Sequence, residues 1–403
     1  MTKLKKLTLA ASLASIASLG TNAAFAADEH EHKGGEPVMA EKPAVPSIGA
    51  VMEATGIDIH GYVDASYTAL SGNGKFINGV NNRVFDYERN SFNIQALDLT
   101  VSKLPTEGFG GLVNLTAGKD ADVIASYDTD GLWNSQKDNF DVTQAYFHYA
   151  TGPWMVIAGK YVTLAGAEVI KSPSNTNFSR SILFGYAIPF AHTGVRTFYK
   201  ASDTLTLIAG VNNGWDVLKD TNSNKTVELG ASFAPSKMFA LAAQAYSGTE
   251  RVAGFVSSGT QGRRDLIDLV ATFNATDQLA FVLNFDYGAQ KNATLIDGST
   301  GTAKWIGWAG YINYQISDKW RTSLRGEYFD DQDGYRSAVG AGETSGQKWK
   351  EATLTLAYLP NEHVELRAEV RGDWSDQSVF LDSNGVTSGK DQQSFGLEAI
   401  YKF

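Results

Sequence analysis

Leu279-Ala280-Phe281-Val282-Leu283-Asn284-Phe285-Asp286-Tyr287-Gly288 is the stretch that decides the fold. Leu279, Phe281, Leu283, Phe285 and Tyr287 take every second place, and Ala280, Val282, Asn284, Asp286 and Gly288 fill the gaps. A period of two belongs to a strand with one greasy and one polar face, because successive side chains point to opposite sides. The pattern returns in Val364, Leu366, Ala368 and Val370 against Glu365, Arg367, Glu369 and Arg371. It returns again in Val227, Leu229, Ala231 and Phe233, and in Phe395, Leu397, Ala399, Tyr401 and Phe403. From Ile57 to the end of the chain the alternation is nearly continuous.

A soluble sandwich has the same period, so the connections must discriminate. Short polar turns fall near Pro105-Thr106-Glu107, Thr151-Gly152-Pro153, Ser202-Asp203, Pro235-Ser236-Lys237, Thr276-Asp277, Ser317-Asp318-Lys319 and Pro360-Asn361-Glu362. Between them lie long segments, roughly 71–91, 120–140, 163–191, 213–225, 247–264, 289–304, 330–348 and 374–392. Seven short and eight long connections predict about 16 strands. Strict short–long alternation predicts an all-β chain: a transmembrane up-and-down antiparallel barrel with short periplasmic turns and long external loops. Propeller blades do not alternate this way.

Aromatic residues agree. Phe109, Tyr149, Phe233, Phe239, Phe273, Tyr314, Trp320 and Tyr358 fall on the apolar phase beside short turns, and Tyr67, Tyr287 and Tyr328 toward the long loops. Rings at both ends of an apolar band suit two membrane–water interfaces. Composition points the same way: 40 Gly, only 9 Pro and 11% aromatic residues suit many strands and turns.

The first residues read as an export address. Lys3, Lys5 and Lys6 precede an apolar run from Leu7 to Leu19, and Ala24-Phe25-Ala26 supplies the small residues of a cleavage site. Residues 1–26 are therefore expected to be a signal peptide, 27–56 a flexible periplasmic tether and 57–403 the barrel. The net charge of −10 becomes more negative without the leader, which carries three Lys and no acid. That balance disfavours a nucleic-acid partner. The chain has no Cys, which removes disulfides, thiolate metal sites and cysteine nucleophiles.

A barrel of this size leaves a water-filled lumen whose charges set selectivity. The loop between the fifth and sixth strands, 163–191, is the longest and is partly apolar, with Leu164, Val169, Ile170, Ile182, Leu183 and Phe184. A greasy loop is better placed against the inner wall than in water. It is expected to narrow the pore, with Glu168, Lys171 and Arg180 near the constriction; a loop packed externally or on a second subunit is the alternative. Strand phase turns Arg196, Lys200, Arg321, Arg325, Glu327, Glu351, Glu365, Arg367, Glu369, Arg371 and Glu398 inward. These form either a basic stripe opposing acids or a structural ion-pair ladder.

Other candidates carry less. His30 and His32 lie among acids in the lead-in, where solvation outweighs metal binding. Asp330, Asp331, Asp333 and Glu343 share one loop, but Gln332 and Tyr335 break the EF-hand pattern for Ca²⁺. No Ser–His pair falls on the outward phase as a barrel phospholipase needs; His60, His148 and His192 fall on the inward phase. The reading therefore involves no enzyme activity, no metal and no cofactor.

The block YVTLAGAEVIKSPSNTNFSRSILFGYAIPFAHTGVR, Tyr161 to Arg196, followed by Val211-Asn212-Asn213-Gly214-Trp215-Asp216, resembles the OmpL-like β-barrel porin family. The resemblance extends over nearly all of the chain after the leader and implies a bacterial outer-membrane pore, without naming a solute. Passive diffusion of small hydrophilic solutes and ions is then expected, leaning toward cations, with both termini periplasmic. A closed barrel serving as adhesin or structural anchor is the alternative. Expected partners are outer-membrane lipid and lipopolysaccharide, the barrel-assembly machinery through the terminal Phe403, and further copies of the chain.

Overall fold

The computed structural model describes residues 48–70, 83–86, 90–126, 139–220, 222–251, 261–295, 298–337, 346–381 and 387–403. The expected leader, most of the lead-in with His30 and His32, and Glu343 lie outside the described residues.

Strands follow the predicted phase. They are β1 Asp58–Leu70, β2 Phe92–Lys103, β3 Gly108–Ala117, β4 Phe140–Thr151, β5 Trp154–Val162 and β6 Ala191–Lys200. Next come β7 Leu205–Asn212, β8 Thr226–Phe233, β9 Phe239–Arg251, β10 Gln261–Asn274, β11 Leu279–Thr294 and β12 Thr300–Ser317. The chain finishes with β13 Trp320–Asp331, β14 Gln347–Tyr358, β15 Val364–Ser375, the short pair β16 Phe380–Leu381 and β17 Thr387–Gly389, and β18 Asp391–Lys402. All but β16 and β17 form one closed barrel of 16 strands in chain order, with β1 sealed against β18. Every pairing is antiparallel, as hairpin connections require. Closure matters physically, because an open sheet edge in hydrocarbon leaves backbone polar groups unpaired. The seam extends to the last residue: Phe403 and Gly61 exchange both backbone hydrogen bonds at 3.0 Å.

Alternation sorts the side chains as expected. Leu283, Leu324, Leu354, Val370 and Leu397 are exposed on the outer surface, while Asn284, Arg325, Thr353, Arg371 and Glu398 are buried inside. Aromatic pairs bracket the outer apolar band. Phe109–Tyr149, Trp154–Tyr199 and Trp320–Tyr358 stand 4.4–4.7 Å apart at the short-turn end. Tyr67–Phe92 and Trp308–Tyr328 do the same at the long-loop end, at 4.9 and 5.8 Å.

Three local departures have simple causes. The lead-in is not unstructured throughout: Ile48–Thr55 is a helix, α1, built from helix-favouring Ala, Met and Glu. It stops at Gly56, whose φ of 67° and N–H to the Met52 carbonyl at 2.8 Å form a left-handed cap. The connection expected over 289–304 is mostly strand, because β11 and β12 keep pairing to Thr294 and Thr300. Between β3 and β4 a short helix, α2 Lys119–Ile124, buries Asp120, Ala121 and Ile124.

Candidate functional site: the loop inside the barrel

The loop from Thr163 to Phe190 enters the barrel rather than leaving it. Its neck is closed by Thr163 N–H donating to the Phe190 carbonyl at 2.9 Å, and by Asp216, whose carboxylate accepts the amides of Phe190 and Ala191. Burial pushes the Asp216 carboxyl up despite those two donors. Beyond the neck lie a single 3₁₀ turn, Ser172–Ser174, and a π turn, Leu183–Ala187. An irregular segment carries amides and carbonyls with no ladder to join, so each needs a partner if buried.

The inner wall supplies those partners from its charged side chains. Glu369 of β15 accepts the amides of Phe178 and Ser179 at 2.8 and 3.0 Å. Glu327 of β13 accepts those of Ile182 and Leu183. Guanidinium groups serve the carbonyls: Arg325 binds Ser179, Arg371 binds Arg180, and Arg367 binds Ser172 and Asn175. Asn284 of β11 accepts the Ala167 amide, and the Trp305 indole of β12 donates to the Ala187 carbonyl.

Apolar packing reinforces the anchor. Ile182, Leu183, Phe184, Ala187 and Ile188 cluster with Trp305, Phe329 and Trp349, which β12, β13 and β14 turn inward. Two glycines make room for this. A Cβ on Gly396 would lie 2.7 Å from the Phe178 ring, and one on Gly307 would lie 2.8 Å from a Leu183 methyl.

The structure gathers the expected residues but gives them different surroundings. Glu168 is buried, accepts the Ser181 amide and pairs with Arg325 at 2.7 Å. Arg180 is buried too, and its guanidinium holds the loop's own carbonyls at Val169, Ile170 and Phe178. Lys171 differs: its side chain is 27% exposed, and it reaches β2 at Asp98 and Thr100. Of the inward candidates, Arg325, Glu327, Arg367, Glu369 and Arg371 are sandwiched between wall and loop. Arg321 joins Glu365, Arg367 and Glu398 in a row of ion pairs, so this wall is a ladder of paired charges. Arg196 pairs with Glu228 and lies over the Tyr161 ring at 4.2 Å. Lys200 is a correction: it is exposed at the short-turn end and pairs with Asp203, because β6 ends there.

The loop's hydrogen bonds and ion pairs reach β1, β2 and β9 to β15; among the described residues none reaches β3, β4, β7 or β8. A cleft of about 90 Å³ opens on the uncovered side, lined by Gln144, Tyr146, His148, Ile157, Arg196 and Phe198. Facing the loop from α2 is Asp120, which burial raises to about 7 although Arg180 is near.

Sequence phase missed the inward rings Trp305, Phe329 and Trp349. Their sign was large aromatics on the polar phase of three successive strands. The acidic loop also changes meaning. Asp331 is buried at the end of β13 and accepts the amides of Tyr335, Arg336 and Ser337, so it caps a turn. His60 is exposed and bonds Asp58, whereas His148 and His192 are buried.

A closed 16-strand barrel with an apolar outer band and a loop folded onto its inner wall is an outer-membrane porin fold. The chain belongs to the family described as "Putative beta-barrel porin-2, OmpL-like", which matches residues 56–403, a family of outer-membrane channels. No curated protein matches the sequence. Among solved structures, the chain is similar to the outer-membrane channel DcaP of Acinetobacter baumannii, at 14% identity and TM-score 0.56, covering 86% of this chain and 97% of that one. An anion-selective porin from Comamonas acidovorans is similar at 12% identity and TM-score 0.57, covering 86% and 99%. Salmonella typhi OmpF is similar at 11% identity and TM-score 0.56, covering 86% and 97%. Identities this low carry the fold alone.

Proposed function

We propose that the barrel is a passive diffusion channel for small hydrophilic solutes and ions, narrowed by the loop from Thr163 to Phe190. The observation that carries this reading is that the loop's hydrogen bonds and ion pairs leave β3, β4, β7 and β8 free among the described residues. A segment that leaves part of the wall free constricts a bore, whereas a plug would bind all round. Lys171 is the constriction charge that meets water; Glu168 and Arg180 act by holding the loop in its shape. Arg196 contributes a cation to the uncovered side, and the paired Arg and Glu residues behind the loop hold its position. No covalent chemistry and no cofactor enter the reading.

Long loops face outside and both termini face the periplasm, as the alternation of connections suits. A homo-oligomer is part of the proposal: a similar outer-membrane protein of Vibrio cholerae is described in a trimer form, at TM-score 0.53. Planar-bilayer recording of the purified protein tests the reading. Discrete conductance steps, with small sugars entering protein-loaded vesicles and larger ones excluded, are expected. Silence in both assays would leave the closed anchor as the better description.

A further inference from the structure

The outer surface is not uniform. Strands β10 to β14 enclose a groove of about 520 Å³ on the lipid-facing side, lined by Phe273, Phe281, Leu283, Gly310, Ile312 and Gly326 among others. Its floor is a row in register: Leu283, Gly310, Gly326 and Ala352 are successive cross-strand partners. A Cβ placed on Gly310 meets nothing within 4 Å, so the groove is real space that no neighbouring side chain fills.

One pleat toward the long loops, the next outward row reads Trp308, Tyr328, Lys350 and Trp374. Lys350 is exposed on the outer surface between two aromatic rings, with no hydrogen bond or ion pair among the described residues. Lys348 follows on β14, opposite Asp330, and Lys304 is exposed on β12. The strands on the other side of the barrel differ among the described residues. At the long-loop end, β1 to β8 turn neither Lys, Arg, Asp nor Glu outward.

We propose that this face holds a phosphorylated, multiply acylated glycolipid of the outer leaflet, with an acyl chain in the Gly310–Gly326 groove and a phosphate on Lys350. An ammonium among interfacial rings sits at headgroup depth, where lipid phosphate is its natural partner. The groove floor lies one pleat from the Lys350 row on the same outward face, so one molecule satisfies both features. The assignment to the outer leaflet rests on the proposed orientation, with the long loops outside.

Native mass spectrometry of the folded barrel in detergent tests it, with bisphosphorylated lipid A, its dephosphorylated form and phosphatidylglycerol as probes. One bound lipid A per chain is expected, weakened at least tenfold by Lys350→Glu and, separately, by Gly310→Leu. Lys319→Glu, at the short-turn rim, should leave binding unchanged, and the dephosphorylated probe should bind poorly. Equal loss with Lys350→Glu and Lys319→Glu would overturn the site as mere charge attraction. Preference for phosphatidylglycerol would overturn the glycolipid. A change in oligomer size with Gly310→Leu, with lipid A binding intact, would give the groove to a second copy. Conductance of the same variants, recorded alongside, separates failure of this site from failure of the channel reading.

Discussion

The covered and uncovered halves of the inner wall are built from the same alternating strands but use their polar phase differently. Behind the loop, β13 to β15 and β18 carry Arg321, Arg325, Arg367 and Arg371 interleaved with Glu327, Glu351, Glu365, Glu369 and Glu398, all buried. Each of those guanidinium groups binds a carboxylate, and several bind the loop as well. On the uncovered side, β3 and β4 offer Asn114, Thr116, Gln144 and His148, with fewer full charges. Charge density thus marks where a loop is held. A buried ion needs a partner and hydrogen bonds, and an irregular loop supplies both. The less charged side, where Lys160 pairs with Asp141 and Arg196 with Glu228 within the wall itself, needs no such cover.

The largest effect expected from this contrast is on conductance. Replacing Lys171 to Arg180 with a short Gly-Ser link should raise single-channel conductance on the order of two-fold or more, with the barrel still folded. Heat-modifiable gel migration reports the folding. Unchanged conductance would mean that the loop does not limit flow.

Stability should divide the two walls next. Arg325→Ala strands Glu168, Glu351 and two loop contacts, and should cost about 3–5 kcal/mol in urea unfolding. Gln144 accepts one amide, from Val162, at 3.3 Å, so Gln144→Ala should cost about 0.5–1.5 kcal/mol. Equal costs would erase the distinction drawn between the walls.

Selectivity gives a smaller difference. Lys171→Gln removes the more exposed of the loop charges and should move the reversal potential in a salt gradient toward cations. Glu168→Gln should move it less, because Glu168 is already neutralised by Arg325. A dominant shift from Glu168 would show that its partner does not compensate it.

The smallest effect is on pH. Asp120 is buried near Arg180, Glu398 and Asp86. Burial raises its folded value from 3.8 to about 7. Stability from the neutral form is therefore complete below the unfolded value and is lost as pH rises through the folded one. Asp120→Asn should make the barrel more stable than the parent at pH 8, with the gap closing below about pH 4. A gap that widens on acidification would reverse the sign of this account.

Sequence by itself determined the strand number and the phase of nearly every strand, and it singled out 163–191 as the loop expected inside, with external packing as the alternative. A period of two leaves only two faces, and hydrocarbon allows no polar residue to face the wrong one. The apolar residues of 163–191 marked that loop because water gives them no place to go. What sequence could not decide was the partner of each inward charge. Arg325 and Glu168 stand 157 positions apart, and their 2.7 Å contact exists only once the loop is docked. Trp305, Phe329 and Trp349 sit on the polar phase, yet the sequence reading did not mark them as a core, since the surface that covers them arrives from the far side of the barrel. Phase is a property of neighbours along the chain, whereas pairing across a lumen is a property of closure.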